Sequence, residues 1–209
     1  VLGTGHHYYY IGVNKIWLIV GGIFSALEPL AFLAMALFAV NMYRKGEKSH
    51  PNKIALFWTI GSAIVSFIGA GLLGFAHTLP QTNLYTHGTL VTAMHGHYAF
   101  WGAYAMIVLA IISYALPNLT GRKRYNSVHG NAAFWLSNIG ILGMTVAFGV
   151  AGVAQVYMER KLKMEFMEVQ KETEIHFVVL LICATMFTVG ISLFIYDFIK
   201  YGKPTDEAL

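Results

Sequence analysis

Charge is what this sequence has least of. Only 11% of its 209 residues are Asp, Glu, Lys or Arg, against about a quarter in a soluble domain. With 56% hydrophobic residues and a mean hydropathy of +0.57, that shortage excludes a water-soluble globule. The chain reads as a polytopic membrane protein. Cysteine is nearly missing as well. Cys183 stands alone, so no disulfide can form within the chain, and its place inside an apolar run predicts a small buried residue. Acidic residues avoid the apolar runs: all but Glu28 lie in loops or near termini. No internal repeat, low-complexity tract or soluble domain is present. Val1 is not a methionine, and no signal peptide precedes His6-His7, which predicts a piece from the middle of a longer chain, all of it one transmembrane domain. The net charge of +4 sits in loops and implies no nucleic-acid partner.

What is present is a set of five long apolar runs: about Lys15–Asn41, Lys53–Leu79, Leu84–Leu116, Val128–Tyr157 and Ile175–Ile199. Each exceeds the roughly 20 residues that cross hydrocarbon, so the expected fold is an all-α transmembrane bundle. Gly61, Gly69, Gly71, Gly140 and Gly143 fall inside the runs and predict close helix packing. Arg44, Lys45, Lys48 and Lys53 mark one loop, and Arg122, Lys123 and Arg124 mark another, whereas Pro80–Thr86 carries no charge. Positive loops face the cytoplasm. The N-terminal end, Pro80–Thr86 and residues 158–174 are therefore expected outside, and the C-terminus inside.

Of nine histidines, His50 reads as solvated, and His77, His129 and His176 as residues at span ends with structural roles. His95 and His97 differ. On a helix, two steps turn the chain by about 200°, so the two imidazoles leave opposite faces and suit two different metals. If the helix starts near Leu84, His95 lies about 16 Å below that end, where ionisable groups are functional suspects. The neighbours on its face, Gly88, Val91, Thr92, Ala99 and Gly102, are mostly small and leave room for a flat macrocycle. The His97 face carries Leu90, Met94, Phe100, Trp101 and Tyr104, which could grip a ring edge. An axial histidine on haem iron fits both.

His6-His7 is a second constellation. Off a regular helix both rings can turn to one metal, with imidazole suiting zinc, copper, iron or nickel. The following Tyr8-Tyr9-Tyr10 suits a membrane interface. Glu28 is the third. A charged carboxylate at mid-membrane costs roughly 2.5–3.5 kcal/mol, so a metal, a proton or a polar cavity must offset it. Pro29 removes a helical hydrogen bond beside it and predicts a kink.

His6-His7 followed by His87-x7-His95-x-His97 resembles the haem–copper oxidase superfamily. Glu28 and the run Met94-His95-Gly96-His97-Tyr98-Ala99-Phe100-Trp101-Gly102 are similar to the catalytic subunits of bacterial nitric oxide reductases, most of all the cytochrome c-dependent type. The resemblance covers the whole chain and matches the last five helices of a twelve-helix fold. It implies His6 and His7 as ligands of a non-haem iron (FeB), with Glu28 beside it as a tuning or proton-passing group. It implies His95 as the axial ligand of high-spin haem b3 and His97 as an axial ligand of low-spin haem b. His87 falls where oxidases place a polar group near the haem propionates; oxidases follow it with Asp, whereas Gly88 follows here. The implied partners are nitric oxide, a membrane-anchored cytochrome c subunit and the bacterial inner membrane. A third FeB histidine, a second glutamate and the other low-spin haem ligand lie upstream in the family. A terminal oxygen reductase with copper at FeB and a non-catalytic dihaem electron-transfer protein remain open readings.

Overall fold

The computed structural model describes residues 6–46, 52–121 and 127–201. All the regular structure in them is helical, as a lipid environment demands, because helices satisfy their own backbone groups. Five spans are long and apolar enough to cross a membrane. The first is built from α1 (Lys15–Ser25) and α2 (Glu28–Lys45). The others are α3 (Lys53–Thr78), α5 (Leu90–Leu119), α6 (Val128–Lys161) and α8 (Glu174–Lys200). Short helices α4 (Pro80–Thr86) and α7 (Phe166–Glu172) join α3 to α5 and α6 to α8.

Two differences from the sequence expectations matter. The Pro29 kink divides the span in two: Ala26 and Leu27, still with helical backbone angles, form a turn, and Glu28 opens a new helix with Pro29 in its first turn. The third span starts at Leu90, not Leu84. Residues 80–86 fold as the separate α4, and the chain turns at Gly88 with φ +73°, a conformation that glycine adopts without strain. His95 thus lies five residues into α5, roughly 8 Å from its start, and not 16 Å.

The core is aromatic and joins four spans. Trp58 of α3 is fully buried and meets Trp101 of α5, Phe134 of α6 and Phe194 of α8 edge-on, with ring centroids 6.0, 5.1 and 6.0 Å away. Such crossings favour aromatic pairs. Small residues let the backbones close in, since lipid supplies no hydrophobic drive between helices. A Cβ on Gly140 would stand 2.6 Å from Phe187 N, and one on Gly102 would stand 2.6 Å from Ser66 N. Of the five glycines singled out above, Gly71 alone meets only ordinary contacts, at 3.5 Å and beyond. Cys183 packs its sulfur on Gly143 but is half-buried, not buried.

Candidate functional site

The site is built where α3 and α5 cross. Gly69 lies in a π-helical stretch of α3, Phe67–Leu73, and α5 has its own at Trp101–Ala105. Such bulges recur at functional sites because they free and redirect backbone groups. At Gly69 the two backbones nearly touch: a Cβ would stand 2.8 Å from Ala99 N and Tyr98 C. This approach brings His95 Nδ1 to the Gly69 carbonyl at 3.0 Å. A carbonyl only accepts, so Nδ1 carries the proton and Nε2 keeps the lone pair of the neutral ring. Below it, Ser62 Oγ donates to the Gly102 carbonyl at 2.7 Å and fixes the register of α3 on α5.

His97 leaves the other side of α5. It is exposed, and its Nδ1 donates to the Ala93 carbonyl, 2.8 Å away, one turn back. It borders an apolar cleft of about 760 Å³ whose walls include Phe100, Trp101, Met144, Phe187 and Ile191. Trp101 is anchored there by Nε1 donating to Asn138 Oδ1 at 3.1 Å.

His6 and His7 occupy a short 3₁₀ turn, with ring centroids 4.1 Å apart and planes at 36°. The turn is tied to the first span by a 2.6 Å hydrogen bond between His6 Nδ1 and Ser25 Oγ, the residue that closes α1. Glu28, which opens α2 just beyond Ser25, interacts electrostatically with His7. Glu28 is half-buried in the first turn of α2, where the helix dipole favours a negative charge. His7 also lies within electrostatic reach of His95. His7, next to His6 in the turn, thus lies within electrostatic reach of both Glu28 and His95. Among the described residues no three His, Cys, Asp or Glu come close enough to form a metal cluster by themselves.

His87 stands outside that group. It is exposed, its ring lies 4.3 Å from that of Tyr10, and its carbonyl receives Arg160 Nη2 at 3.4 Å. Tyr9, next to Tyr10, turns inward and donates its hydroxyl to the Thr78 carbonyl at the end of α3. Its phenol is held above the usual value of 10.0, first by burial and then by Tyr10. His50 lies outside the described residues.

Sequence reasoning missed His77. It is buried, and its ring stacks on that of His95 with centroids 4.9 Å apart and planes at 22°. A signal existed: Gly69, Leu73 and His77 recur every four residues and so share one face of a helix. His129 reads in the sequence as an ordinary span-end residue, yet its Nδ1 meets Asp197 Oδ1 at 3.1 Å, with Asp197 buried. Nothing local in the sequence links two residues 68 positions apart.

Comparison with known proteins gives the family. The family described as "Cytochrome C and Quinol oxidase polypeptide I" matches residues 1–186. A nitric oxide reductase subunit of Stutzerimonas stutzeri is 44% identical over 214 residues, covering 97% of this chain and 44% of its own length. A cytochrome c oxidase subunit 1 homolog of Agrobacterium tumefaciens (strain T37) is 34% identical over 99 residues, covering 46% of this chain and 18% of its own. The chain thus spans less than half the length of these relatives. A bundle of long apolar helices with this match over nearly all its residues belongs to the haem–copper oxidase superfamily, in the family of cytochrome c and quinol oxidase polypeptide I.

Proposed function

We propose that this chain acts as part of the catalytic subunit of a nitric oxide reductase, in the reaction 2 NO + 2 H⁺ + 2 e⁻ → N₂O + H₂O. The observation that carries the reading is the division of labour on α5. His95 faces the end that holds His6, His7 and Glu28, and His97 faces a separate apolar cleft. The 44% identity to a nitric oxide reductase subunit supports it.

In this reading His95 Nε2 holds haem b3, His97 Nε2 holds haem b, and His6 and His7 supply two ligands of FeB. The residues fit these groups. Both α5 histidines give their Nδ1 protons to backbone carbonyls, the outer bond that fixes ring orientation in metal-bound imidazoles. The cleft beside His97 has the volume and apolar walls that a macrocycle needs. When bound, the irons supply Lewis-acid sites and electrons for joining two nitrogens.

The protein's own part is positioning and proton handling. One stiff helix carries both axial histidines two residues apart, so the two groups they hold stay in fixed relation. Glu28, in the first turn of α2 and in electrostatic interaction with His7, would hold and release protons at that end of the bundle. Arg44, Lys45 and Lys200 lie at the C-terminal ends of α2 and α8; by the positive-inside rule that end would face the cytoplasm and the His6-His7 end the periplasm. A membrane-bound cytochrome c subunit is the electron donor, His87 lies in the haem-propionate region, and the 209 residues form one membrane domain within the longer subunit.

Metal analysis of the intact enzyme tests the reading. Two haems b and one non-haem iron are expected. Copper in place of that iron would favour an oxygen reductase, and absence of a high-spin haem signal would favour an electron conduit.

A further inference from the structure

His77 has no role in the ligand set above, yet its surroundings match those of His95. It is only 6% exposed, near the end of α3. Its Nδ1 reaches the Leu73 carbonyl at 2.9 Å. That bond makes Nδ1 the protonated nitrogen and leaves the Nε2 lone pair as an acceptor. The two rings therefore hang from carbonyls one turn apart on the same helix, Gly69 for His95 and Leu73 for His77. They face each other almost in parallel. Asn83 Nδ2 holds the His77 carbonyl at 2.8 Å and closes the end of α3 over the pair. Nε2 of His77 is buried and has no partner among the described residues, and neither has Asn83 Oδ1 nearby in the chain. Buried polar atoms are seldom left this way. An acceptor without a donor beside an axial-ligand candidate points to a group that arrives with the loaded site.

We propose that His77 is a positioning residue of the His95 site: its ring braces the plane of the His95 imidazole, and its Nε2 accepts a hydrogen bond from a water ordered at the edge of that site. A histidine serves both tasks at once. Its flat ring fills the space beside His95, and its far nitrogen takes the water that an apolar ring would expel. The proposal rests on His95 being a haem ligand, and that reading has its own test. If His95→Ala keeps the high-spin haem, the reading fails whatever His77 does.

The experiment uses the intact enzyme. Resonance Raman spectra of the ferrous form read the iron–histidine stretch, which follows the orientation and hydrogen bonding of the axial imidazole. His77→Leu is expected to shift and broaden that band with haem content unchanged. His77→Phe, which keeps a flat ring on His95, is expected to retain the native band. A native band in His77→Leu overturns the brace, as does a band in His77→Phe displaced as far as in the leucine variant. Should His77→Leu not assemble, the phenylalanine variant still decides the brace. A high-resolution density map of the native enzyme decides the second half: water within hydrogen-bond reach of Nε2 is expected, and a dry Nε2 overturns it.

Discussion

On one side of α5, His95 is half-buried, bonded to the Gly69 carbonyl, stacked on His77 and close to the His6-His7 turn. On the other side, two residues along, His97 is exposed, bonded within its own helix, and open to a cleft. The first face is held by α3, through the Gly69 carbonyl and the His77 ring, with His7 within electrostatic reach. The second is walled by α6 and α8, and the hydrogen bond that orients its histidine comes from α5 itself. The difference teaches that the two histidines, though neighbours in sequence, answer to different parts of the chain. Disturbing α3 should reach His95 and spare His97.

The strongest way to break this comparison is to remove each histidine in turn from the intact enzyme. His95→Ala is expected to abolish the high-spin haem and leave the low-spin haem in place, and His97→Ala to do the reverse. Optical and electron paramagnetic resonance spectra separate the two species. Loss of both haems from either variant would mean that the faces are not independent. Glu28→Ala comes next. It is expected to eliminate NO turnover with both haems retained, since Glu28 sits beside His7 and not on α5. Normal turnover in that variant would remove Glu28 from the proton route.

Much of this layout is legible in the sequence, for physical reasons that differ by residue. Apolar runs of membrane-crossing length and lone polar groups within them stand out because lipid tolerates so few exceptions. That makes His95, His97 and Glu28 visible. The opposite faces of His95 and His97 follow from helix geometry alone. The start of α5 does not, because Leu84 and Tyr85 continue the apolar pattern through α4, and only the backbone turn at Gly88 separates the two helices. The role of Ser25 is hidden for another reason. It bonds His6 from nineteen residues away, and nothing local in the sequence links the two. His77 is visible as a residue but not as a partner, since stacking between α3 and α5 depends on how closely Gly69 lets them approach.

That approach gives the next prediction. Gly69→Val would place a Cβ 2.8 Å from two backbone atoms of α5, Ala99 N and Tyr98 C, and neither can rotate away. Overpacking of this kind costs about 1–3 kcal/mol. The expected result is a lower thermal midpoint together with partial loss of the high-spin haem, because His95 loses its register on the Gly69 carbonyl. The low-spin haem should stay at full occupancy. Equal loss of both would show that the α3–α5 crossing supports the His97 face as well.

The smallest expected effect sharpens the comparison most, because it acts on the His95 face from outside α5. Tyr9 ties the His6-His7 turn to the end of α3 through its hydroxyl and the Thr78 carbonyl. Hydrogen bonds between segments of membrane proteins contribute about 0.6 kcal/mol on average and about 1.7 at most, so Tyr9→Phe should leave the bundle folded. What it frees is the turn. The non-haem iron is therefore expected to bind more weakly, read as a lower iron content after mild chelation, with both haem spectra unchanged. The native tie also has a pH signature. Burial, and then Tyr10, hold the phenol above its usual 10.0, so the neutral, donating form is favoured in the folded state. Its contribution is complete below that usual value and fades as pH rises through the higher folded one. Iron retention in the native enzyme should then fall at strongly alkaline pH, and Tyr9→Phe should lack that particular fall. A native-like profile in the variant would mean that the turn is held by its other contacts, the His6–Ser25 bond among them.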